Sequence, residues 1–164
     1  MLVHPIPPVY DKSSEILILG SFPSVKSREA GFFYGHPQNR FWEVLKEVCD
    51  WPYLPDTIDD KRKLLLESHI ALWDVIASCE ITGSSDASIR SVKINDLDEI
   101  IRDSGIRAVF CNGTEAYRLY LRYIFPKLGI EPVRLPSTSP ANAAFTLPKL
   151  VDVWRKEIGE YIVY

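Results

Sequence analysis

The most informative stretch for the fold is Glu15-Ile16-Leu17-Ile18-Leu19-Gly20, a short apolar run that is closed by a glycine. Unbroken apolar runs of this length are typical of strands whose two faces are both covered by other elements. Both faces of a sheet are covered when helices pack on each side of parallel strands. Residues 15–20 are therefore predicted to form a central strand of a parallel sheet.

Three more apolar runs of this kind lie at residues 69–74, 106–111 and 131–135. Helices are predicted at 41–48, near 64–66, near 97–101, at 114–125 and at 148–161, and a loop around 82–85. The second helix is expected to begin at Thr57 or a nearby aspartate, because these side chains cap helices well. This order predicts an α/β fold, a three-layer α/β/α sandwich with a central four-stranded parallel sheet.

Length and composition are those of a single-domain globular protein. The 164 residues suit one domain, residues 1–164, and the 46% hydrophobic and 25% charged residues are an ordinary balance. No window approaches the ~20 consecutive apolar residues of a membrane-spanning helix, and the first residues lack the basic and apolar regions of a signal peptide. A cytoplasmic location is expected.

The cysteines indicate neither a disulfide framework nor a metal site. Cys49, Cys79 and Cys111 are well separated and include no Cys-x-x-Cys pair. No set of His, Asp and Cys residues has metal-ligand spacing. We expect three reduced, mostly buried thiols, with no metal and no cofactor.

The charge distribution excludes a strongly basic nucleic-acid binder, because the net charge is −3. Acidic residues concentrate in 43–103, whereas 1–42 and 104–164 carry a small excess of basic residues. The chain is therefore compatible with a mildly positive face.

Polar, small and aromatic residues concentrate in the segments that leave the predicted strands. In a parallel α/β sheet the ligand crevice lies beyond the carboxyl ends of the strands. The segments concerned are 20–24, 73–74, 112–114 and 136–142. A functional cleft is predicted where they meet.

The first of these loops continues as Gly31-Phe32-Phe33-Tyr34-Gly35-His36-Pro37-Gln38-Asn39-Arg40-Phe41-Trp42. This segment, with the loop at 136–142 and the order of elements, resembles the uracil-DNA glycosylase superfamily, most closely its hypoxanthine-DNA glycosylase (DNA-deoxyinosine glycosylase) branch. The resemblance implies that family's fold and a monofunctional DNA repair glycosylase. Such an enzyme flips deaminated bases, chiefly hypoxanthine and secondarily uracil, out of DNA and hydrolyses the glycosidic bond without a cofactor. The implied partner is DNA that contains deoxyinosine or deoxyuridine, and a monomer is the default expectation.

Two departures from the family pattern concern catalysis. Most relatives place a water-activating Asp or Asn where this chain has Phe22, and many place a catalytic histidine where it has Leu135. The hypoxanthine branch is implied to use instead the asparagine that falls on Asn39. An amide can position a water while the enzyme stabilises separated charge. The alternative for Asn39 is a helix-capping role beside Arg40.

The base-binding residues implied by the resemblance are Phe22, Phe33, Tyr34 and Asp74. Asp74 ends the second strand, and a carboxylate accepts the N1–H of hypoxanthine or the N3–H of uracil but repels the bare N1 of adenine. Its alternative is a helix N-cap or a structural hydrogen bond at the strand end. The aromatic rings are expected to include a stacking platform for the flipped base, with core packing as the alternative for each ring.

DNA contacts are predicted at Ser24 in the first loop and at Ser137, Ser139 and Asn142 in the loop at 136–142. Hydroxyl groups and backbone N–H groups bind phosphate without a large positive charge, and this loop is implied to press into the minor groove. An ordinary turn before a helix is the alternative, and Thr138 fits that role better.

Two other functions remain open from the sequence. A uracil or G·U/G·T mismatch-specific glycosylase fits the 31–42 segment, although Phe22 disfavours it. A non-catalytic nucleotide or nucleic-acid binding module fits the loss of both usual catalysts. An assay for abasic sites distinguishes them, because a binding module leaves none.

Overall fold

A computed structural model describes residues 1–82 and 88–162 of the chain. The strands in this part are β1 (Leu2–Val3), β2 (Ile16–Gly20), β3 (Ile70–Asp74), β4 (Ile76–Glu80), β5 (Arg90–Ile94), β6 (Ala108–Asn112) and β7 (Pro132–Leu135). Four of them form a parallel sheet in the order β3-β2-β6-β7. This confirms the predicted central four-stranded parallel sheet, with the first apolar run in its interior.

The helices lie between and after the strands, broadly as predicted. They are α1 (Val25–Ala30), α2 (Phe41–Val48), α3 (Ile58–Glu67), α4 (Asp98–Arg102), α5 (Thr114–Tyr123), α6 (Phe125–Leu128) and α7 (Leu147–Ile158), with a 3-10 turn at Gly159–Tyr161. Thr57 caps α3, since its hydroxyl oxygen accepts a hydrogen bond from the Asp60 N–H at 3.1 Å. The sequence predicted Thr57 or a nearby aspartate as the cap, and in the structure the cap is Thr57.

The core lies on both faces of the parallel sheet. Ile16 and Ile18 of β2 belong to one buried apolar cluster, and Leu17 and Leu19 belong to the other. Helices α2, α3 and α7 supply the first cluster, and α4 and α5 supply the second. Because successive side chains of a strand point to opposite faces, a strand covered on both sides must be apolar throughout. The predicted three-layer sandwich is confirmed.

A second, smaller sheet was not predicted. It is antiparallel, with the order β1-β4-β5. Arg90, Ser91 and Lys93 of β5 are exposed, so this strand carries no apolar run that would mark it in the sequence. Helix α1 also lies within the stretch that was interpreted as one long loop. The loop predicted around 82–85 lies, from Gly83 onward, outside the described residues.

The first ten residues, the N-terminal segment, run along the edges of both sheets. Val9 and Leu72 of β3 exchange two backbone hydrogen bonds of 3.0 and 2.9 Å. The His4 N–H donates to the Ala77 carbonyl in β4 at 2.7 Å. These bonds fix the segment on each side of His4 and bring that residue to the end of β3.

The three cysteines are buried and form no disulfide, as expected. Burial raises the pKa of Cys49 to about 11 and that of Cys111 to about 12. Both groups are therefore protonated thiols at neutral pH and poor nucleophiles. Within residues 1–82 and 88–162 no helix is both long and apolar enough to cross a bilayer.

Candidate active site

A cavity of about 300 Å³ opens at the carboxyl ends of the parallel strands, where the sequence predicted a cleft. The cavity is lined by eight of the predicted site residues, which are Phe22, Ser24, Phe33, Tyr34, Asn39, Asp74, Ser137 and Ser139. Asn142 lines an adjoining cleft of about 600 Å³. In the described part of the chain, no group of three or more His, Cys, Asp or Glu side chains is placed to hold a metal ion.

Gly20, the last residue of β2, is the point where two polar groups of the cavity converge. A Cβ atom at this position would lie 2.5 Å from Asp74 Oδ1 and 2.8 Å from the Tyr34 hydroxyl oxygen. Both distances are well inside van der Waals contact. The glycine therefore allows Asp74 and Tyr34 to approach the strand end together.

Asn39 lies two residues before Phe41, the first residue of α2, and hydrogen bonds to its side-chain oxygen hold it in place. Asn39 Oδ1 accepts hydrogen bonds from the Phe41 N–H at 3.0 Å and from the Thr138 hydroxyl at 2.9 Å. A backbone N–H can only donate, so the atom that faces it must be the amide oxygen, and the orientation of the amide is fixed. Asn39 Nδ2 makes no hydrogen bond with any described residue. Asn39 thus has the structural bond expected near a helix start and an amino group left for the cavity.

Thr138, which the sequence favoured as an ordinary turn residue, connects Asn39 to the end of β6. Its side chain is fully buried, and its hydroxyl oxygen accepts a hydrogen bond from Asn112 Nδ2 at 3.0 Å. The Thr138 N–H in turn donates to Asn112 Oδ1 at 3.1 Å. The Asn112 amide thus bonds both the hydroxyl oxygen and the N–H of Thr138. Because the hydroxyl oxygen accepts from Asn112, the hydroxyl hydrogen is donated to Asn39 Oδ1. We call Asn39, Thr138 and Asn112 the amide side of the cavity.

Asp74, at the end of β3, is held by a residue to which the sequence analysis assigned no role. Asp74 Oδ2 lies 2.7 Å from His4 Nε2, and the two side chains are only 5% and 3% exposed. Asp74 Oδ1 makes no hydrogen bond with a described residue and lies against Gly20. We call Asp74, His4 and Gly20 the carboxylate side of the cavity.

The three predicted base-binding rings differ in exposure. Phe33 is 2% exposed and belongs to the core, so it forms a buried part of the cavity wall. Tyr34 and Phe22 are partly exposed. The Tyr34 ring stacks on Phe41 with centroids 4.0 Å apart, and its φ of 54° is uncommon for a residue with a Cβ atom. Phe22 and Tyr34 are therefore the two predicted base-binding rings that are partly accessible at the cavity.

Arg40 holds the loop that follows β7. Its guanidinium group donates to the carbonyl oxygens of Ser139 at 2.9 Å, Asn142 at 3.2 Å and Phe145. Three contacts to successive turns of one loop fix its shape. Because Arg40 is next to Asn39, the same short segment anchors both the cavity and this loop.

The polar side chains of that loop also bond within it. Ser137 Oγ accepts the Ser139 N–H at 3.1 Å, and Ser139 Oγ accepts the Ala141 N–H at 3.2 Å. Asn142 Nδ2 donates to the Ser137 carbonyl at 3.0 Å. As acceptors in these bonds, the two serine hydroxyls keep their hydrogens for an external acceptor.

Ser24 lies beside the cavity as the N-cap of α1. Its hydroxyl oxygen accepts the Ser27 N–H at 3.2 Å, and its O–H donates to Ser27 Oγ at 3.1 Å. Ser27 Oγ also accepts the Gly35 N–H at 2.9 Å. Ser24 thus has a structural role in this structure, and its predicted contact with DNA remains a prediction.

The residues that sequence reasoning missed are those whose partners are distant in the chain. His4 lies 70 residues from Asp74, and Arg40 lies 99 to 105 residues from its three carbonyl partners. No local pattern marks such pairs. Asn112 did carry a signal, because it ends a parallel strand at the same sheet edge as Asp74.

Comparisons with known proteins give matches over most of the chain. The family model described as the uracil DNA glycosylase superfamily matches residues 7–157. A protein named hypoxanthine DNA glycosylase from Methanosarcina acetivorans is 35% identical over 151 residues, covering 89% of this chain and 92% of its own. Another of that name from Methanosarcina barkeri is 34% identical over 140 residues, covering 83% and 85%. The solution structure of a candidate uracil DNA glycosylase from M. acetivorans superposes with a TM-score of 0.79 at 32% identity, covering 95% of this chain and 98% of that one.

Proposed function

The chain belongs to the uracil DNA glycosylase superfamily, and on this basis we propose that it is a monofunctional DNA glycosylase for deaminated bases. Its proposed principal substrate is deoxyinosine in duplex DNA, and its product is an abasic site. The two relatives named hypoxanthine DNA glycosylase, each aligned over most of its length, support this substrate.

One observation carries the proposal: a carboxylate and a correctly oriented amide line a single base-sized cavity. About 300 Å³ is at the lower end of the ~300–1,000 Å³ typical of small-molecule sites, as suits one flipped base. Asn39 is partly exposed, and Asp74 is only 4% exposed, so the carboxylate lies away from bulk water. Polar interactions are stronger in such surroundings.

Base selection is assigned to Asp74. Its Oδ1 accepts the N1–H of hypoxanthine, and the N3–H of uracil offers the same donor. Adenine presents a lone pair at N1, which the carboxylate repels. A site built around a buried acceptor rejects analogues that lack the donor, because the acceptor is then left unsatisfied. Uracil is therefore proposed as a second substrate.

Bond cleavage is assigned to the amino group of Asn39. The C1′–N9 bond breaks with its electrons passing to the base, and the sugar becomes oxocarbenium-like. Asn39 Nδ2 donates a hydrogen bond to one lone pair of a water, and the other lone pair adds to C1′. The oxygen bound to C1′ then loses a proton to solvent, and the departed base anion takes up a proton from solvent, so the products are an abasic site and the neutral base. An amide cannot remove the water proton, so the rate depends on stabilising the leaving base and on positioning.

The remaining predicted residues are assigned to holding the substrate. Phe22 or Tyr34 stacks on the flipped base, which glycosylases hold between aromatic or apolar groups. Ser137, Ser139 and the loop shaped by Asn142 fill the gap in the duplex and contact the flanking phosphates. A further phosphate contact is proposed at Ser24, and it requires the hydroxyl to turn away from Ser27 Oγ, to which it donates in this structure.

The test is a single-turnover assay on labelled duplexes that carry hypoxanthine, uracil or thymine opposite each base. We expect alkali-labile sites at hypoxanthine, slower formation at uracil, and no strand breaks before alkali. The same duplex with adenine at the lesion position is the matched control and should stay intact. Binding to the inosine duplex without any abasic product would contradict the proposal and indicate a non-catalytic binding module.

A further inference from the structure

The bond between His4 and Asp74 has a defined direction. His4 Nδ1 lies 3.2 Å from the Ile6 N–H and accepts its hydrogen, so Nδ1 carries a lone pair. The imidazole proton must then be on Nε2, because a ring with acceptors at both positions would be an anion. His4 is a neutral imidazole that donates from Nε2 to Asp74 Oδ2 at 2.7 Å.

Among the described residues, Asp74 is the acceptor for this donor, and the rest of the ring's surroundings is largely aromatic. His4 packs edge-on against Phe22 and Trp73, with ring centroids 5.7 and 6.0 Å away, and also contacts Phe33 at 6.2 Å. The ring position is fixed further by Trp73, whose indole N–H donates to the Ile6 carbonyl at 3.0 Å. A buried N–H enclosed by aromatic rings must bond to the carboxylate or lose its hydrogen bond.

The carboxylate is thereby left with one available oxygen. Oδ2 is occupied by His4, and Oδ1 lies at the cavity wall against Gly20. The Asp74 backbone is held as well, since its carbonyl accepts a hydrogen bond from Asn95 Nδ2 at 2.9 Å. The carboxylate cannot rotate without breaking its hydrogen bond to His4, and the strand end cannot move without breaking its hydrogen bond to Asn95.

We propose that His4 is a specificity-determining positioning residue, which rests on the proposed function. By donating only from Nε2, it fixes Asp74 so that a single acceptor oxygen faces the Watson–Crick edge of the flipped base. The site then selects bases with an N–H at that edge, and the N-terminal segment is part of the recognition machinery.

The test uses four variants in the single-turnover assay on inosine duplex. His4→Phe removes the donor and keeps an aromatic ring, and we expect a loss of ~10-fold or more, the usual range for a hydrogen bond to a charged group. His4→Gln places an amide N–H at nearly the same reach and should remain within a few fold of the wild type. Both changes lose the bond to Ile6, so their difference reports the contact with Asp74.

The decisive pair contains an amide at position 74. In Asp74→Asn, His4 Nε2–H forces the amide oxygen toward itself, so the amino group meets the N1–H of hypoxanthine, and we expect a loss on the order of 10²-fold. Adding His4→Gln supplies a side chain that can accept as well as donate. The introduced amide can then turn its oxygen to the base, and the double variant should regain ~10-fold over Asp74→Asn alone.

Each outcome bears on the proposal. A wild-type protein that leaves inosine duplexes intact overturns the proposed function and this inference with it. An active wild type whose rate is unchanged by His4→Phe, or an Asp74→Asn variant that His4→Gln fails to improve, overturns the inference alone. A purely structural role for His4 predicts that the second substitution lowers the rate further. If His4→Phe does not fold, as judged by circular dichroism, the Asp74→Asn pair decides the matter.

Discussion

The two sides of the cavity fix their functional groups by different means. The amide side is a chain of neutral hydrogen bonds from Asn112 through Thr138 to Asn39. The carboxylate side places one charged group against one imidazole, with aromatic rings around them. The neutral chain leaves a donor toward the cavity, whereas the carboxylate held by the neutral imidazole leaves an acceptor. The comparison suggests a division of labour in which one side acts on the bond and the other reads the base.

The largest expected effect tests the amide side directly. Asn39→Ala should lower the single-turnover rate on inosine by ~10² or more and leave duplex binding within a few fold, because a group that acts in the transition state is lost. Asn39→Asp is the matched variant, since it keeps the acceptor for Phe41 and Thr138 but lacks the amino group. Equal damage by both variants assigns the effect to the donor. A rate near the wild type for Asn39→Ala would make the residue structural.

The next prediction tests whether a polar group at position 22 changes which base is cleaved faster. Phe22→Asn restores an amide where most relatives place a water-activating group, and it avoids a second carboxylate near Asp74. We expect the ratio of uracil to inosine rates to rise by roughly 10-fold, less than the ~10²–10⁴-fold of a fully positioned acid–base catalyst, because an amide only orients the water. Single-turnover rates of abasic-site formation, measured on the uracil and the inosine duplex, give the ratio. An unchanged ratio in a folded variant would indicate that Phe22 is needed as a packing wall beside His4.

A smaller effect tests the support of Asn39. Thr138→Val removes the hydroxyl and keeps the shape, so it should slow inosine cleavage by roughly 3- to 10-fold, as expected for one neutral hydrogen bond. Thr138→Ser retains the hydroxyl and serves as the control. Binding to the inosine duplex should be unchanged in both. If valine and serine have the same rate, the chain from Asn112 does not position the amide.

The smallest effect concerns the loop that borders both clefts. Ser137→Ala or Asn142→Ala should weaken binding to an inosine or abasic duplex a few fold more than binding to undamaged DNA. The salt dependence should be shallow, equivalent to roughly two to four phosphate contacts, and nearly the same in the variants. Fluorescence anisotropy at several salt concentrations measures both quantities. Equal weakening on all duplexes would make the loop a nonspecific phosphate contact.

The sequence predicted those parts of the molecule that depend on local pattern. The strand at 15–20 is apolar throughout because helices cover both its faces, so its position in the sheet could be read directly. Asp74 and Asn112 were locatable because they end parallel strands at one edge. The strand Arg90–Ile94 has exposed polar residues and no such pattern, and it was missed. His4 was missed because the residue that gives it a role is distant in the chain and close only in the fold.

A substitution at Gly20 offers a way to separate the binding of damaged DNA from the excision of the damaged base. Ala at this position would put a methyl group against Asp74 Oδ1 and the Tyr34 hydroxyl, filling the space where the edge of a flipped base must enter. The atoms nearest to that methyl group belong to Asp74 and Tyr34, whereas the loop is held by the hydrogen bonds of Arg40. Gly20→Ala would therefore convert the protein from an excision enzyme into a probe that grips distorted or abasic DNA but admits no base. Under the proposed function, the absence of a side chain at Gly20 leaves the space that the base needs to reach Asp74.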